Sequence, residues 1–367
     1  MVYLDYASTA PEVKYPQSTY EKIYGPFKNP NANYAYKEKR LLEACEDRVK
    51  KAIGAKGGKV IFGGTSSQLI ENLVTSIRLK ADMDNRIDYQ FYYSWYEHDS
   101  VERFNDWGSF YVDSLADIEQ EAEECDKERV TPFVFWQATQ NITGEIFPVK
   151  QIGELIREYK GFYICDGTAQ IGHTIIDYNI DDWCDFWCCS GHKIATELGI
   201  GCCWVSDRLD KWLNGFKLHG TPNVAGALAI TNAIEDACDS YELNERIIHF
   251  NEMQDCLIDC FVRAGIDFQL VPEDDTYPSG HEFTSAINAI RLPGIQAEAI
   301  QQYLASKQIY IGVSHSSCSN DTRVLEACGL NIKEAREVIR ISFGNDNCFE
   351  DVKALVQGIV DFRKEYT

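Results

Sequence analysis

The stretch Phe186-Trp187-Cys188-Cys189-Ser190-Gly191-His192-Lys193 predicts a buried strand that ends in a polar loop. Its first four residues are apolar strand formers, and the Ser-Gly pair then breaks the run. In open α/β sheets, ligands bind in the loops that follow the carboxyl ends of the strands. Most lysines are solvated surface charges, but this position favours a lysine that is held at a ligand site.

A second polar side chain follows a strand upstream of Lys193, at a separation of 193 − 166 = 27 residues. The apolar run at 161–165 ends in Asp166. Pyridoxal phosphate requires a lysine that can form a Schiff base and an acidic residue that can pair with its pyridinium nitrogen. The pair Asp166 and Lys193 therefore predicts a pyridoxal-phosphate site.

Size and composition restrict the class of protein. With 367 residues the chain exceeds one typical core, so two lobes are expected, and 45% apolar residues are enough to fill them. The net charge of −22 argues against nucleic acid or an anionic membrane as a partner. Neither a signal segment at the amino terminus nor an apolar run of about 18 residues is found in the sequence, which argues against secretion and membrane spanning.

The cysteines indicate a reducing compartment. The sequence contains 14 of them, and two adjacent pairs, Cys188-Cys189 and Cys202-Cys203, lie in strand-like runs. No Cys-x-x-Cys pair occurs, which argues against a zinc or iron–sulfur site, so no metal is predicted. Thiols used as small apolar residues predict a cytoplasmic protein.

The order of the predicted elements indicates an α/β fold with two domains. Strands predicted at 59–62, 90–96, 130–136, 161–166 and 186–189 alternate with helices such as 37–54 and 149–159. This alternation predicts a large domain, 12–244, with a mostly parallel sheet that is covered by helices. From residue 245 a long helix, strands at 285–290, 309–313 and 338–343, and a terminal helix predict a smaller α+β domain, 245–367. Residues 1–11 are predicted to form an amino-terminal arm.

One turn in the large domain has the composition of a phosphate-binding loop. The strand 59–62 continues into Gly63-Gly64-Thr65-Ser66-Ser67 and then into a helix with Leu69, Ile70 and Leu73 facing inward. Backbone N–H groups at a helix amino terminus bind phosphate well. An ordinary capped loop has the same composition, and both interpretations stay open at this stage.

Nine short motifs in a fixed order carry a family resemblance. The chain resembles the cysteine desulfurases of the class V aminotransferase group, which are pyridoxal-phosphate enzymes of fold type I. The motifs are Tyr3-Leu-Asp-Tyr-Ala-x-Thr-x-Pro11, Asn29-Pro30, Glu97-His98, Asn141-x-x-Gly144, Asp166, Ser190-Gly-His-Lys193, Gly220-Thr-Pro-Asn-Val224, Ser317-Cys318 and Arg340-Ile-Ser-Phe-Gly344.

The resemblance implies a role for each predicted site residue. Lys193 would form the Schiff base and later move the Cα proton, and Asp166 would keep the ring nitrogen protonated. Arg340 would bind the substrate carboxylate, where a weak surface salt bridge is the other interpretation. The other implied cofactor contacts are His98 on the ring face, Asn141 on the phenolic oxygen, Ser190, His192, Thr65, Ser66 and Ser67 at the phosphate, and Thr221 at the phosphate of a neighbouring subunit. The last contact implies a homodimer. A hydrogen-bonded histidine at a strand end is the other interpretation of His98.

Cys318 is the predicted carrier of sulfur. It lies in the polar run 312–321, whereas most other cysteines have apolar neighbours. A thiol in such a loop can ionise and attack, and His315 nearby would favour the thiolate. The implied reaction converts L-cysteine to L-alanine, leaves a persulfide on Cys318 and passes the sulfur to an acceptor, such as a protein.

Several positions differ from the family pattern and leave alternatives open. Ala169 stands where the family has a cofactor-binding glutamine, with Gln170 one position later, and Thr196-Glu197 replace a Gly-Pro turn. Tyr34 replaces a histidine, and the segment after Cys318 is short. A class V transaminase, a carbon–sulfur lyase or a selenocysteine lyase without persulfide transfer therefore remains an alternative, as does a protein that binds the cofactor without turnover.

Overall fold

The computed structural model describes residues 1–84, 88–104, 110–176, 179–272, 281–313 and 322–366. Its strands are β1 (Val2–Leu4), β2 (Lys59–Gly63), β3 (Tyr89–Ser94), β4 (Phe110–Val112), β5 (Thr131–Phe135), β6 (Glu145–Ile146), β7 (Phe162–Asp166), β8 (Phe186–Ser190), β9 (Gly201–Val205), β10 (Gln269–Val271), β11 (Glu282–Phe283), β12 (Ile287–Arg291), β13 (Ile309–Val313) and β14 (Val338–Ser342).

The α-helices of the described residues alternate with these strands. They are α1 (Gln17–Tyr24), α2 (Tyr36–Ala52), α3 (Ser66–Asp84), α4 (Asp99–Glu102), α5 (Leu115–Glu128), α6 (Val149–Glu158), α7 (Asp207–Trp212), α8 (Val224–Cys238), α9 (Ser240–Arg263), α10 (Ala297–Ser306), α11 (Arg323–Ala327), α12 (Ile332–Ala335) and α13 (Phe349–Tyr366). Within the described ranges, no helix combines the length and the apolar character that a bilayer crossing requires.

The larger of two compact units contains Glu12–Ala138 and Phe147–Ser240. Its seven-stranded sheet has the order β2-β9-β8-β7-β5-β3-β4. The run from β8 to β4 is parallel, and β9 is antiparallel to both of its neighbours. The predicted α/β fold with a mostly parallel sheet is therefore confirmed.

Both faces of this sheet are covered, which explains the long apolar runs of its central strands. Side chains alternate between the faces along each strand. On one face Phe186 packs in a core that includes Leu69 and Leu73 of α3. On the other face Trp187 packs in a core that includes Ile152 of α6 and Ile230 of α8. The cysteines on β8 and β9 lie fully buried between these layers, as their apolar neighbours predicted.

The smaller unit contains Met1–Pro11, Thr139–Ile146 and Tyr241–Thr367. Its five-stranded sheet has the order β1-β13-β14-β12-β10, and a two-stranded ribbon pairs β6 with β11. The predicted arm 1–11 supplies an edge strand, because Val2–Leu4 pair in parallel with β13. The domain limits 12–244 and 245–367 stay a prediction, and the segment 139–146 is grouped here with the carboxyl-terminal residues.

Candidate functional site

Lys193 lies in a short 3₁₀ turn, Gly191–Ile194, directly after the buried strand β8. The N–H of Thr196 donates to the carbonyl of Gly191 over 3.1 Å and closes the loop. A Cβ at position 191 would lie 2.2 Å from Thr196 Oγ1, so a glycine is required there. Lys193 is half-buried. The loop therefore holds the lysine at the carboxyl end of the sheet, as predicted.

Asp166 is the last residue of β7 and lies opposite Cys188 of β8 in the parallel register. Its side chain is buried, and Oδ1 accepts a hydrogen bond of 2.9 Å from the N–H of Thr168. Cys188 Sγ lies 3.8 Å from the same oxygen. Within the described part of the chain, Oδ2 accepts no hydrogen bond. A carboxylate at the end of a buried strand that keeps one oxygen for a further donor fits the protonated ring nitrogen of pyridoxal phosphate.

The turn before α3 is a capped loop at the amino terminus of a helix. Thr65 Oγ1 accepts from the N–H of Gln68 over 3.1 Å and caps the helix. Ser190 Oγ accepts from the N–H of Ser66 over 3.0 Å and lies 2.8 Å from Ser66 Oγ. The structure thus brings the predicted phosphate contacts of the two segments together at the amino terminus of a 19-residue helix. Such a terminus attracts anions.

Gly201 makes the close approach of these segments possible. A Cβ at this position would lie 2.9 Å from the carbonyl carbon of Thr65 and 3.1 Å from the nitrogen of Ser66. Only a residue without a side chain lets β9 run this close to the turn. Gly191 was evident from the sequence only as the residue that ends the strand, and no role was predicted for Gly201.

The pKa of His192 is lowered by its surroundings. Burial, with the charge of Lys193 as the second cause, lowers the pKa of its imidazole to about 4. The side chain is therefore neutral at pH 7. In this state the ring can donate one hydrogen bond and accept another.

His98 caps the short helix α4 through its ring. Nδ1 accepts from the N–H of Ser100 over 3.1 Å, and it lies 3.0 Å from Ser100 Oγ. An accepting Nδ1 places the proton of the neutral ring on Nε2. The hydrogen-bonded histidine at a strand end is thus observed, and its contact with a cofactor ring stays a prediction.

Arg340 lies in the middle of β14, within the smaller unit, and its side chain is only 9% exposed. Nη1 donates to the backbone oxygen of Asn141 over 3.0 Å, and Nη2 donates to Asp5 Oδ1 over 2.7 Å. The interpretation as a surface salt bridge is wrong because the guanidinium is buried. Binding of a carboxylate by this side chain stays a prediction.

The turn that carries Asn141 is fixed by its neighbours. The N–H of Gly144 donates to the carbonyl of Gln140 over 2.9 Å, and Gly144 has a φ of +78°. A Cβ at position 144 would lie 2.5 Å from the carbonyl oxygen of Ile287, so the motif spacing Asn-x-x-Gly has a steric cause. Gln140 Oε1, which is fully buried, accepts from the N–H of Thr143 over 3.0 Å.

The structure does not test the roles of two further predicted residues. Thr221 is exposed and follows Gly220, whose φ is +124°. Cys318, together with His315 and Ser317, lies outside the described residues. The roles predicted for Thr221 and Cys318 therefore stay predictions.

Comparison with known proteins places the chain in a family. The model of the family "Aminotransferase class-V" matches residues 2–355. The chain belongs to the class-V aminotransferase family. Its resemblance to that family is thereby confirmed over nearly the whole sequence.

The relatives within the family are cysteine desulfurases by name. The chain is 26% identical to "Cysteine desulfurase IscS" of Dictyoglomus turgidum, across 96% of this chain and 91% of that protein. It is 25% identical to "Cysteine desulfurase IscS 1" of Archaeoglobus fulgidus, across 97% and 95%. A NifS-like protein of Rickettsia africae shares the fold with a TM-score of 0.80 and 18% identity, over 99% of both chains.

One departure from the class-V pattern has a structural cause. Gln170 is buried, and its Oε1 accepts from Trp187 Nε1 over 3.3 Å. Trp187 and Cys188 point to opposite faces of the sheet, and Cys188 faces Asp166. The amide of Gln170 therefore serves the core on the face opposite the Asp166 carboxylate. The methyl side chain of Ala169, the residue predicted to replace the family's cofactor-binding glutamine, cannot make a hydrogen bond to a cofactor.

The second departure, Thr196-Glu197 in place of a Gly-Pro turn, changes the hydrogen bonds of the loop that carries Lys193. Thr196 is buried, and its Oγ1 donates to the carbonyl of Glu197 over 3.2 Å. Glu197 Oε2 accepts from the N–H of Gln17 over 3.3 Å. The Glu197 side chain thus ties the loop to the first residue of α1 by a hydrogen bond that a Gly-Pro turn could not make.

Proposed function

We propose that this protein is a pyridoxal-phosphate-dependent cysteine desulfurase that converts L-cysteine to L-alanine and transfers the sulfur to Cys318. The observation that carries the proposal is the pair of adjacent parallel strands β7 and β8, which end in Asp166 and in the loop of Lys193. Both side chains are placed at the same edge of one sheet, and this is the arrangement the cofactor requires. The names of the relatives agree with the proposal.

Each residue has a defined task. Pyridoxal phosphate, when bound, supplies an aldehyde that captures amines and a ring that withdraws electrons from the substrate Cα. Lys193 Nζ would hold the cofactor and then accept the Cα proton. Asp166 Oδ2 would keep the proton on the ring nitrogen, and the helix terminus at Thr65–Ser67 would bind the phosphate together with Ser190 and neutral His192.

The substrate is held and cleaved by other side chains. Arg340 would bind the carboxylate of L-cysteine, and Asn141 and His98 would contact the cofactor. The thiolate of Cys318 would attack the substrate sulfur, so an S–S bond forms on Cys318 while the substrate Cβ–S bond breaks. Cβ and Cα then take up protons, and L-alanine leaves. A thiol, on a protein or a small molecule, would reduce the persulfide and accept the sulfur.

The proposed assembly is a cytoplasmic homodimer. The exposed position of Thr221 supports a contact with a second subunit, where the family resemblance places it. Nine of the thirteen cysteines among the described residues are buried in the interior as packing groups. Their use as reduced thiols supports a cytoplasmic setting.

The substitution Cys318→Ala tests the proposal. The purified protein, loaded with pyridoxal phosphate and incubated with L-cysteine and a reductant, is expected to release alanine and sulfide in equal amounts. Cys318→Ala should lower alanine formation by roughly a hundredfold or more, because the nucleophile is removed. Cys348→Ala is the matched control, since Cys348 is an exposed thiol in the described part of the chain.

Other products would contradict the proposal. Pyruvate in place of alanine would indicate a carbon–sulfur lyase, and unchanged turnover in Cys318→Ala would exclude persulfide transfer. Borohydride reduction should attach the cofactor to Lys193. A protein that stays colourless after incubation with pyridoxal phosphate would remove the basis of the assignment.

A further inference from the structure

The buried guanidinium of Arg340 is fixed by a carboxylate from the amino terminus of the chain. Its Nη2 donates to Asp5 Oδ1 over 2.7 Å, and the two residues are 335 positions apart in the sequence. Asp5 follows β1 directly and forms a parallel bridge with Ser342 at the end of β14. Among the described residues, Asp5 supplies the only carboxylate in contact with Arg340.

The ion pair between Asp5 and Arg340 packs directly against the backbone of Gly312. A Cβ at Gly312 would lie 2.6 Å from Asp5 Oδ1 and 2.9 Å from Arg340 Nε. Arg340 Nε is buried and makes no hydrogen bond within the described ranges. The plane of the guanidinium is therefore set at its two Nη atoms, by Asp5 on one and by the Asn141 carbonyl on the other.

Asp5 is itself held in place on both sides. The N–H of Ala7 donates to Ser342 Oγ over 2.8 Å, and Asn347 Nδ2 donates to the carbonyl of Tyr3 over 2.9 Å. The ring of Tyr6 occupies the space of a missing side chain at Gly344, where a Cβ would lie 2.1 Å from Cε1. The segment that carries Asp5 is thus seated on the sheet and cannot follow a moving guanidinium.

A fixed carboxylate has two opposite effects on a ligand. It competes with an incoming carboxylate for the guanidinium, and it holds the guanidinium in one orientation, so that less conformational freedom is lost on binding. Bidentate recognition of a carboxylate depends on the plane of the guanidinium. A displacement of a substrate-binding group by about 1 Å can lower the reaction rate by about a hundredfold. The tight packing against Gly312 favours the orienting effect.

We propose that Asp5 is a positioning residue that orients Arg340 for the α-carboxylate of an amino-acid substrate. The inference rests on the proposed function, because Arg340 is assigned to the substrate carboxylate there. It adds that the amino-terminal arm, through one side chain, determines how tightly the substrate binds.

Three variants test the proposal on the cofactor-loaded enzyme. Asp5→Ala should raise KM for L-cysteine by about tenfold to a hundredfold and change kcat by less than about threefold, because one charged hydrogen bond that orients the fork is lost. Asp5→Asn keeps an oxygen acceptor, so KM should stay within about threefold of wild type. Gly312→Ala keeps both charges but displaces the pair, and it should raise KM as Asp5→Ala does.

Two controls separate positioning from a loss of stability. Arg291→Ala breaks the ion pair with Glu337 in the same unit without touching Asp5 or Arg340, and it should leave KM unchanged even if the thermal midpoint falls. In an Arg340→Met background, Asp5→Ala should add no further increase in KM. If Asp5→Ala does not fold, Gly312→Ala and Asp5→Asn still decide the question.

The outcomes distinguish this proposal from the proposed function. A KM that stays within about threefold of wild type in both Asp5→Ala and Gly312→Ala overturns the positioning role. A KM that falls in Asp5→Ala also overturns it, because Asp5 then acts as a competitor. Calorimetric binding of L-alanine needs no turnover. Weaker L-alanine binding in Asp5→Ala, with no desulfuration by wild type, would retain the role of Asp5 and reject the desulfurase; no binding to wild type would reject both.

Discussion

The imidazole of His192 illustrates how a single residue gains properties from its surroundings. Its type and its place in Ser190-Gly-His-Lys193 were evident from the sequence, but its charge was not. Burial and the adjacent Lys193 lower its pKa to about 4, against an ordinary value of 6.5. The ring is therefore neutral at pH 7, and the attraction for an anion at the proposed phosphate site comes from the helix terminus at Ser66.

This pKa predicts a pH dependence of stability. Between pH 6.5 and 4 the unfolded chain binds a proton at His192 that the folded protein does not bind. The contribution of His192 is therefore complete above pH 6.5 and is lost as the pH falls towards 4. His192→Asn should make the thermal midpoint fall less between pH 7 and pH 5 than it does in wild type.

The exposed residue His219 provides the control for this experiment. His219→Asn should leave the difference between the midpoints at pH 7 and pH 5 as it is in wild type. If the thermal midpoint falls equally between pH 7 and pH 5 in wild type and in His192→Asn, the imidazole at position 192 is not buried in a neutral state.

At the scale of the element, Asp185 joins three strands at the edge of the sheet opposite to the site. Its fully buried carboxylate accepts from the N–H of Tyr163 over 3.1 Å, from Ser206 Oγ over 2.9 Å and from Arg208 Nε over 3.1 Å. These partners belong to β7, to the turn after β9 and to α7, while Asp185 precedes β8. The register that places Asp166 opposite Cys188 is thereby fixed at its far end.

Removing this carboxylate should be costly. Asp185→Ala leaves Arg208 without its buried counter-charge and is expected to lower the free energy of unfolding by about 3–5 kcal/mol. Urea denaturation of the protein, monitored by tryptophan fluorescence, measures this loss of unfolding free energy. Asp126→Ala is the control: its ion pair with Lys160 is exposed, so the loss should be at most about 1 kcal/mol. Similar losses for the two variants would contradict the role of Asp185.

At the scale of the whole molecule, the proposed homodimer predicts that Thr221 serves the site of the neighbouring subunit. Heterodimers with differently tagged subunits test this at limiting pyridoxal phosphate. With Lys193→Ala on one subunit and Thr221→Ala on the other, the site that keeps Lys193 should also receive an intact Thr221. About half of the wild-type activity is expected, since one of two sites works.

The reciprocal heterodimer is the control. With both substitutions on one subunit and a wild-type partner, the working site should receive the altered residue and bind the cofactor more weakly. The reverse order of activities would place Thr221 in the site of its own subunit. Equal activities would exclude it from the site.

The amino-acid sequence by itself determined the class of fold and most of the candidate site. Apolar runs that end in Asp166 and Ser190 predicted β7 and β8 within one residue, because strands buried on both faces leave a clear pattern. The motif order predicted the family that the comparison confirmed. The roles proposed for Lys193 and Asp166 follow from residue type and from their position after strands.

Only the tertiary structure decided which side chains contact each other across the sequence. Asp5 was evident as part of a motif, but its contact with Arg340 requires the arm to pair with β13 as an edge strand, which local pattern cannot specify. The orientation of Gln170 towards Trp187 depends on which face of the sheet a turn residue enters. Such contacts arise from packing between distant segments, whereas sequence patterns report only on the segment that contains them.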